Sequence, residues 1–469
     1  MSTAMQKQAR THPHRHTKSG GRGLRQLLLA QSLSQFGFWL MSLAMPLLAA
    51  TTLRASPFEV SAVAASQTAA FLLVGLPAGA WVDRLRKRPV MIATDIGRAL
   101  VLGSVPVVWA LGHLSIGYLC AAALATGVLT VFFDVADQSF LPHLVRPQQL
   151  VSANARLVGV EQVAAVAGPG TGGLVIQLTT APLALIGTAV GYLWSAVCLM
   201  FIRDHEPAPV RDKDTRLFRD VAEGVRYVLA DRFLRPLVCC STTMTLFWSM
   251  GYAMLLVLLA QDLAVPAGTI GLLFTFGSLG GLGATVVARR IIDALGDSTT
   301  IKLSVAVAAP FTLFSALVQP GWRLGLVSVS SFVFGAGLVL YNVAQVSFRQ
   351  RSVTAALLGR VNATVRFCAW GARPLGALCG GAIAELVGVR QAVWVGAAGT
   401  SLAIVWLLLS PLRGLRTLPM DAATEDRGTE DRITEDAVTD TPIADAPAAE
   451  GAAAADAVTD DAATTKERI

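Results

Sequence analysis

The sequence predicts an all-α polytopic membrane protein of twelve helices in two six-helix bundles, with both termini in the cytoplasm. Three observations predict it: an apolar excess, its arrangement in repeated runs, and the placement of cations between the runs. Of 469 residues, 54% are apolar and 15% charged, against about 45–50% and about 25% in soluble domains. Mean hydropathy is +0.57. The excess falls in runs of about 20 residues or more, long enough to cross a hydrocarbon layer about 30 Å thick. That composition excludes a cytosolic enzyme.

The first six runs cover about 25–52, 59–82, 90–112, 115–140, 151–178 and 181–202. The second six cover about 233–261, 267–290, 299–319, 322–348, 357–388 and 389–410. At that length the first run exceeds a secretory signal's apolar core and is expected to stay in place. Lys and Arg collect in alternate connections. One side holds the basic N-terminus up to Arg25, then Arg84, Arg86, Lys87, Arg88, Arg146, the 203–235 stretch, Arg289, Arg290, Lys302, Arg349, Arg351, Arg360, Arg413 and Arg416. The other side holds Arg54, Arg323 and Arg390. Cations concentrate in cytoplasmic connections, so the first side, with both termini, is cytoplasmic.

Domain boundaries follow from the breaks. Residues 1–24 are a basic N-terminus, 25–202 and 233–412 are the two bundles, 203–232 is a polar linker and 413–469 is a tail. From Asp421 onward there are 14 acidic and four basic residues, and the repeat Thr-Glu-Asp-Arg offers nothing to bury, so the tail is expected to be disordered. The two bundles share an internal repeat at an offset of 208. It pairs Val135 with Val343, Ser139 with Ser347, Phe140 with Phe348, Asn154 with Asn362, Gly168 with Gly376, and Gly172-Gly173 with Gly380-Gly381. A six-plus-six repeat of this kind surrounds a central cavity in transporters.

Cys120, Cys198, Cys239, Cys240, Cys368 and Cys379 all lie inside apolar runs without metal-ligand spacing, and are read as free thiols. His12, His14 and His16 do not amount to a metal site. No cofactor is expected.

Two motifs stand out. After the second run comes Gly79-Ala80-Trp81-Val82-Asp83-Arg84-Leu85-Arg86-Lys87-Arg88-Pro89, a tight basic hairpin in which Gly79 permits a close helix approach and Asp83 can accept hydrogen bonds. In the fifth run, Gly168-Pro169-x-x-Gly172-Gly173 opens a packing groove at a proline that removes one backbone hydrogen bond. These resemble the loop 2/3 signature and the antiporter motif of the major facilitator superfamily. Ser34-Gln35-Phe36-Gly37, Thr52-x-x-x-Ser56-Pro57, Asp95-x-x-Arg98, Pro142-x-Leu144-Val145 and Ala153-Asn154 are similar to its enterobactin-exporter and macrolide-efflux branch of drug:proton antiporters. The resemblance spans about residues 24–412. It implies the major facilitator fold, export in exchange for protons, and an interdomain latch in which Asp83, Arg84 and Arg88 meet the start of the eleventh helix, where Arg360 and Asn362 lie. Phe38 stands where that branch commonly has an Asp, and the fourth helix lacks the buried Arg of many drug/proton antiporters.

Charges at membrane depth are functional candidates because they are costly there. Asp95 and Arg98 can pair along one helix, as a strut or as working groups. Asp134 and Glu161 are the candidate protonation sites: desolvation favours the neutral carboxyl and a nearby cation the ionised one, so a cationic substrate or Arg373 could eject the proton. Arg366 and Arg373, seven apart, share a helix face and either attract an anionic group or neutralise the acids. Phe36, Trp39, Trp248, Tyr252, Tyr341, Asn342, Gln345 and Trp370 are candidate cavity residues, with packing as the alternative for the aromatics.

The expected function is secondary export of a small amphipathic molecule by alternating access in the cell membrane. The partners are then a small-molecule substrate, protons and the lipid bilayer, with no nucleic acid. No phosphate-binding loop occurs in the sequence, so ATP is not expected, and neither H-E-x-x-H nor G-x-S-x-G is present to suggest an enzyme. Import of a metabolite, or a non-transporting receptor whose tail recruits a partner, are the alternatives.

Overall fold

The computed structural model describes residues 20–145, 147–202 and 217–415. The three histidines, Arg146, the first part of the linker and the acidic tail lie outside the described residues, as does the side chain of Asp83.

Every regular element among the described residues is helical. The first set is α1 (Gly20–Leu47), α2 (Pro57–Asp83), α3 (Lys87–Ala110), α4 (Ile116–Leu144), α5 (Leu150–Leu178) and α6 (Ala181–Met200). A short α7 (Leu217–Ala230) precedes α8 (Leu234–Val257), α9 (Ala267–Leu295), α10 (Asp297–Phe311) with its continuation α11 (Leu313–Ala316), α12 (Gly325–Ser352), α13 (Ala355–Val387), and α14 (Val389–Leu402) continued by α15 (Ile404–Leu408). Ten spans among the described residues are long and apolar enough to cross a membrane. The long helices α5 and α13 fall outside that group. They carry Arg156 and Glu161, and Arg360, Arg366 and Arg373, respectively.

Local chemistry sets the boundaries. Ser56 caps α2: its Oγ accepts from the Glu59 amide at 3.3 Å while the Ser56 amide donates to Glu59 Oε2 at 2.8 Å, and Pro57 starts the helix without needing a donor. Gly296 and Gly388, at φ +83° and +105°, supply left-handed turns that break α9 from α10 and α13 from α14. The second part of the polar linker forms α7. A Cβ on Gly224 of α7 would strike the Thr364 side chain and the Arg360 carbonyl of α13, so the glycine lets the two helices touch.

The packing of the two sets is repeated. Within the first, α1 packs on α5 and α6, α2 on α4, and α3 on α4 and α6. Within the second, α8 packs on α13 and α14, α9 on α12, and α10 on α12 and α14. Two large contacts join the sets, α5 with α9 and α2 with α13, and the repeat exchanges one for the other. Even irregularities recur. Five-residue π-helical turns at Leu48–Thr52 and Leu258–Asp262 each lead into a positive-φ residue, Arg54 and Ala264.

Candidate functional site

The glycine motif of α5 lies between two neighbours. Cβ atoms on Gly168 and Gly172 would press on Trp39 and Leu40 of α1, whereas one on Gly173 would run into the Ala267 carbonyl and Gly271 of α9. At the offset of 208 the arrangement repeats. Gly376 and Gly380 lie against the Leu246 and Met250 carbonyls of α8, and Gly381 lies against Phe58 and Ser61 of α2. Pro169 joins the same contact, its carbonyl facing Gly271.

Polar links tie the sets at this same end. Ser56 Oγ donates to Glu385 Oε1 at 2.6 Å. Gln261 Nε2 donates to the Ala50 and Ala55 carbonyls at 2.9 and 3.0 Å, and the Gly268 amide donates to Gln177 Oε1 at 3.0 Å. The end that carries the α1–α2, α5–α6, α8–α9 and α13–α14 connections is therefore shut.

At the opposite end a Cβ on Gly79 would meet nothing within 4 Å, so the close approach expected there is not made in this structure. Arg84 is exposed at the end of α2. Arg88 faces α6 rather than α13: Nε donates to the Leu199 carbonyl at 2.9 Å and Nη2 to the Met200 carbonyl at 2.6 Å, which satisfies two terminal acceptors of that helix. Among its contacts, Arg360 Nη1 donates to Glu223 Oε2 of α7 at 2.7 Å.

Two adjoining cavities open along the second set, the first of them bounded also by α1 and α5 of the first set. The first, about 340 Å³, is lined by Trp39, Pro169 and Arg373 together with Phe247, Trp248, Tyr252, Phe274 and Phe334. Its aromatics form a continuous row: Phe334 to Trp248 at 5.9 Å, Trp248 to Tyr252 at 4.9 Å, Tyr252 to Phe274 at 5.2 Å. The second, about 230 Å³, is lined by Tyr341, Asn342, Gln345, Arg349, Arg366, Trp370 and Arg373. Trp248, Phe334, Leu338 and Arg373 line both. The Tyr341 hydroxyl is committed to the Leu237 carbonyl at 2.8 Å, so that residue presents its ring. Phe36 is half-buried on α1 and lines neither cavity.

The acids occupy the first set. Asp95 and Arg98 form an ion pair with 0% and 2% side-chain exposure, and the guanidinium stacks between Phe133 and Tyr192, 4.3 Å from each ring centre. That binds α3 to α4 and α6. Asp134 is exposed on α4, and Arg98, Arg366 and Glu161 are within its electrostatic reach. Glu161 is exposed on α5. Asp134 and Glu161 thus belong to one electrostatic neighbourhood, and Arg366 reaches it from the second set.

Sequence reading alone missed Phe247, Phe274, Phe334 and Arg349 as lining residues. Arg349 stands four and eight residues after Gln345 and Tyr341, a helical spacing that puts the three on one face. That was the available signal. The residues described include no cluster of side chains suited to a metal ion.

The uncharacterized transporter YfiS of Bacillus subtilis is 26% identical over 385 residues, 80% of this chain and 89% of its own. The multidrug efflux pump Tap of Mycolicibacterium fortuitum is 26% identical over 346 residues, 71% of this chain and 83% of its own. A bacterial homologue of the iron transporter ferroportin, 18% identical, covers 82% of this chain and 98% of its own, with a TM-score of 0.66 in its inward-facing state and 0.55 in its outward-facing state. The Major Facilitator Superfamily pattern matches residues 27–376. With repeated helix sets, ten spans among the described residues apolar enough to cross a membrane and a match over most of its length, the chain is a multi-pass transporter of the bacterial cell membrane that belongs to the Major Facilitator Superfamily.

Proposed function

We propose that this protein is a secondary active transporter that exports a small amphipathic molecule by alternating access in exchange for protons, and that the geometry described is its inward-facing state. In this reading α5 and α13 complete twelve spans in two six-helix bundles. The cation-rich connections and both termini are then cytoplasmic, and the shut end is external.

The observation that carries the reading is the aromatic-lined cavity beside a bundle shut at one end. An amphipathic molecule would be held by the row from Phe334 to Phe274, and reversal of access would require the α5–α9 and α2–α13 contacts to part. The likeness to the efflux pump Tap favours export over import, and the higher TM-score to an inward-facing state favours the assigned direction of opening. Asp134 and Glu161, both exposed side chains, are the proposed proton carriers. The Asp83 hairpin and Arg360 would form the latch when the cytoplasmic end closes.

The test is uptake into inverted vesicles energised by a proton gradient, using fluorescent drugs and macrolides. Gradient-dependent uptake that a protonophore abolishes is expected. Uptake unaffected by the protonophore would overturn proton exchange, and uptake only in right-side-out vesicles would overturn export.

A further inference from the structure

Three guanidinium groups line the second cavity, and none of its lining residues is acidic: Arg349 comes from α12, Arg366 and Arg373 from α13. Arg349 is only 7% exposed, and its Nε and Nη1 have no hydrogen-bond partner. Arg373 has an unpartnered Nε and holds its guanidinium 4.3 Å above the Trp370 ring. None of the three forms an ion pair among the described residues. Arg366 has Asp134 within electrostatic reach, which leaves the buried Arg349 and the half-buried Arg373 as the uncompensated pair.

Uncompensated buried charge is costly, and the cost is relieved by a counter-charge held close by with good hydrogen bonding. The guanidinium fork matches carboxylate, sulfonate and phosphate oxygens, and an arginine stacked on an aromatic ring is already oriented for them. Asn342 and Gln345 add amide donors on the same wall. Arg373, Trp248, Phe334 and Leu338 are common to both cavities, so one molecule can lie across the boundary. Together the two cavities fall in the range of small-molecule sites, about 300–1,000 Å³.

We infer that the molecule this protein transports is an amphipathic anion, its oxyanion group held by Arg349, Arg366 and Arg373 and its apolar body laid along the aromatic row of the first cavity. This deepens the transporter reading and rests on it. Arg349 and Arg373 are the specificity-determining residues. Neutralising only the acids of the first set would leave them no role at this cavity.

The test is calorimetric binding to the full chain in lipid nanodiscs with a matched probe series: naphthalene-2-sulfonate, 2-naphthylmethylammonium and 2-naphthylmethanol. The sulfonate is expected to bind at least about tenfold more tightly than either of the others. Arg349→Gln and Arg373→Gln should each weaken it about tenfold or more, Arg373→Lys should keep the preference for negative charge, and Arg289→Gln, on the exposed face of α9, should change nothing. Equal or tighter binding of the ammonium or the alcohol, no binding of the sulfonate, or sulfonate binding indifferent to both Gln variants would overturn the inference. Melting temperatures of the variants separate lost binding from lost folding. Parallel vesicle flux separates the two readings. Selective sulfonate binding without gradient-driven flux would sink the export reading and leave the anion site standing. Flux of cationic drugs without sulfonate binding would do the reverse.

Discussion

The shut end can be opened with a single methyl group. A Cβ on Gly173 would lie 2.9 Å from the Gly271 Cα and closer still to the Ala267 carbonyl, where ordinary contact begins near 3.4 Å. Both obstacles are backbone, so relief requires α5 and α9 to move apart by about half an ångström or more. Overpacking of this kind costs about 1–3 kcal/mol, and here the cost falls only on the state in which the two helices touch. The ratio of shut to open molecules should drop about 5- to 150-fold on Gly173→Ala. Gly381→Ala, its repeat counterpart against Phe58 and Ser61, should act in the same direction. Gly159→Ala on the same helix meets open space and serves as the control, expected to leave the ratio unchanged. Spin labels at Thr180 and Asp262, both exposed near this end, would report the change by electron–electron distance measurement in a cysteine-depleted chain. Unchanged distance distributions for both alanine variants, in protein that melts like the parent, would refute the claim that glycine contacts hold this end shut.

Asp95→Asn should leave Arg98 charged and unpaired at 2% exposure and destabilise the protein by about 3–5 kcal/mol, whereas a double change to apolar residues of similar volume should recover most of it; thermal unfolding in detergent reads both. Glu161→Gln and Asp134→Asn replace an ionisable carboxyl with a permanently neutral amide, so the paired variant should lose gradient-driven uptake while retaining binding. Retained pH-driven uptake would remove these two acids as proton carriers. Arg88→Gln should lose the two charged hydrogen bonds to the end of α6 and lower stability by about 1–3 kcal/mol, seen as an earlier melt.

Helix existence and order were legible because a membrane span is long and its hydropathy unambiguous, and the observed helices fall within a few residues of the expected runs. The repeat was legible to the residue: the identities Gly168, Gly172 and Gly173 against Gly376, Gly380 and Gly381 make equivalent contacts in space. α7 was not, because its Arg- and Glu-bearing surface reads as linker while its apolar stripe is short. Nor was the burial of Arg349, since a cation near a helix end reads as a marker of topology and only the packing of α12 decides whether water reaches it. Aromatics failed in the same way. Phe36 and Phe334 look alike in sequence, and helix rotation alone places one away from the cavities and the other between them.

The strength of the shut end also fits the proposed alternating access. Each of α5 and α13 faces its own set through glycines one turn apart and the opposite set through the next residue, so two packings sit on one short segment. Gly168 and Gly172 receive the Trp39 and Leu40 side chains of α1, an interlocked contact that resists separation. Gly173 and Gly271 meet backbone to backbone, with no side chain inserted between them, and such faces can part without unthreading. At about 0.5–1.5 kcal/mol net for each hydrogen bond, the polar links that tie the sets at this end sum to a few kcal/mol, the scale of a two-state equilibrium that a bound molecule can tip. Loosening one of them should therefore shift the resting state without unfolding either set. Gln261→Leu, which removes two of the bonds at once, should populate a form open at this end measurably at the same spin-label pair, and a loss of helical content instead would show that the end is part of the folding core and not a gate.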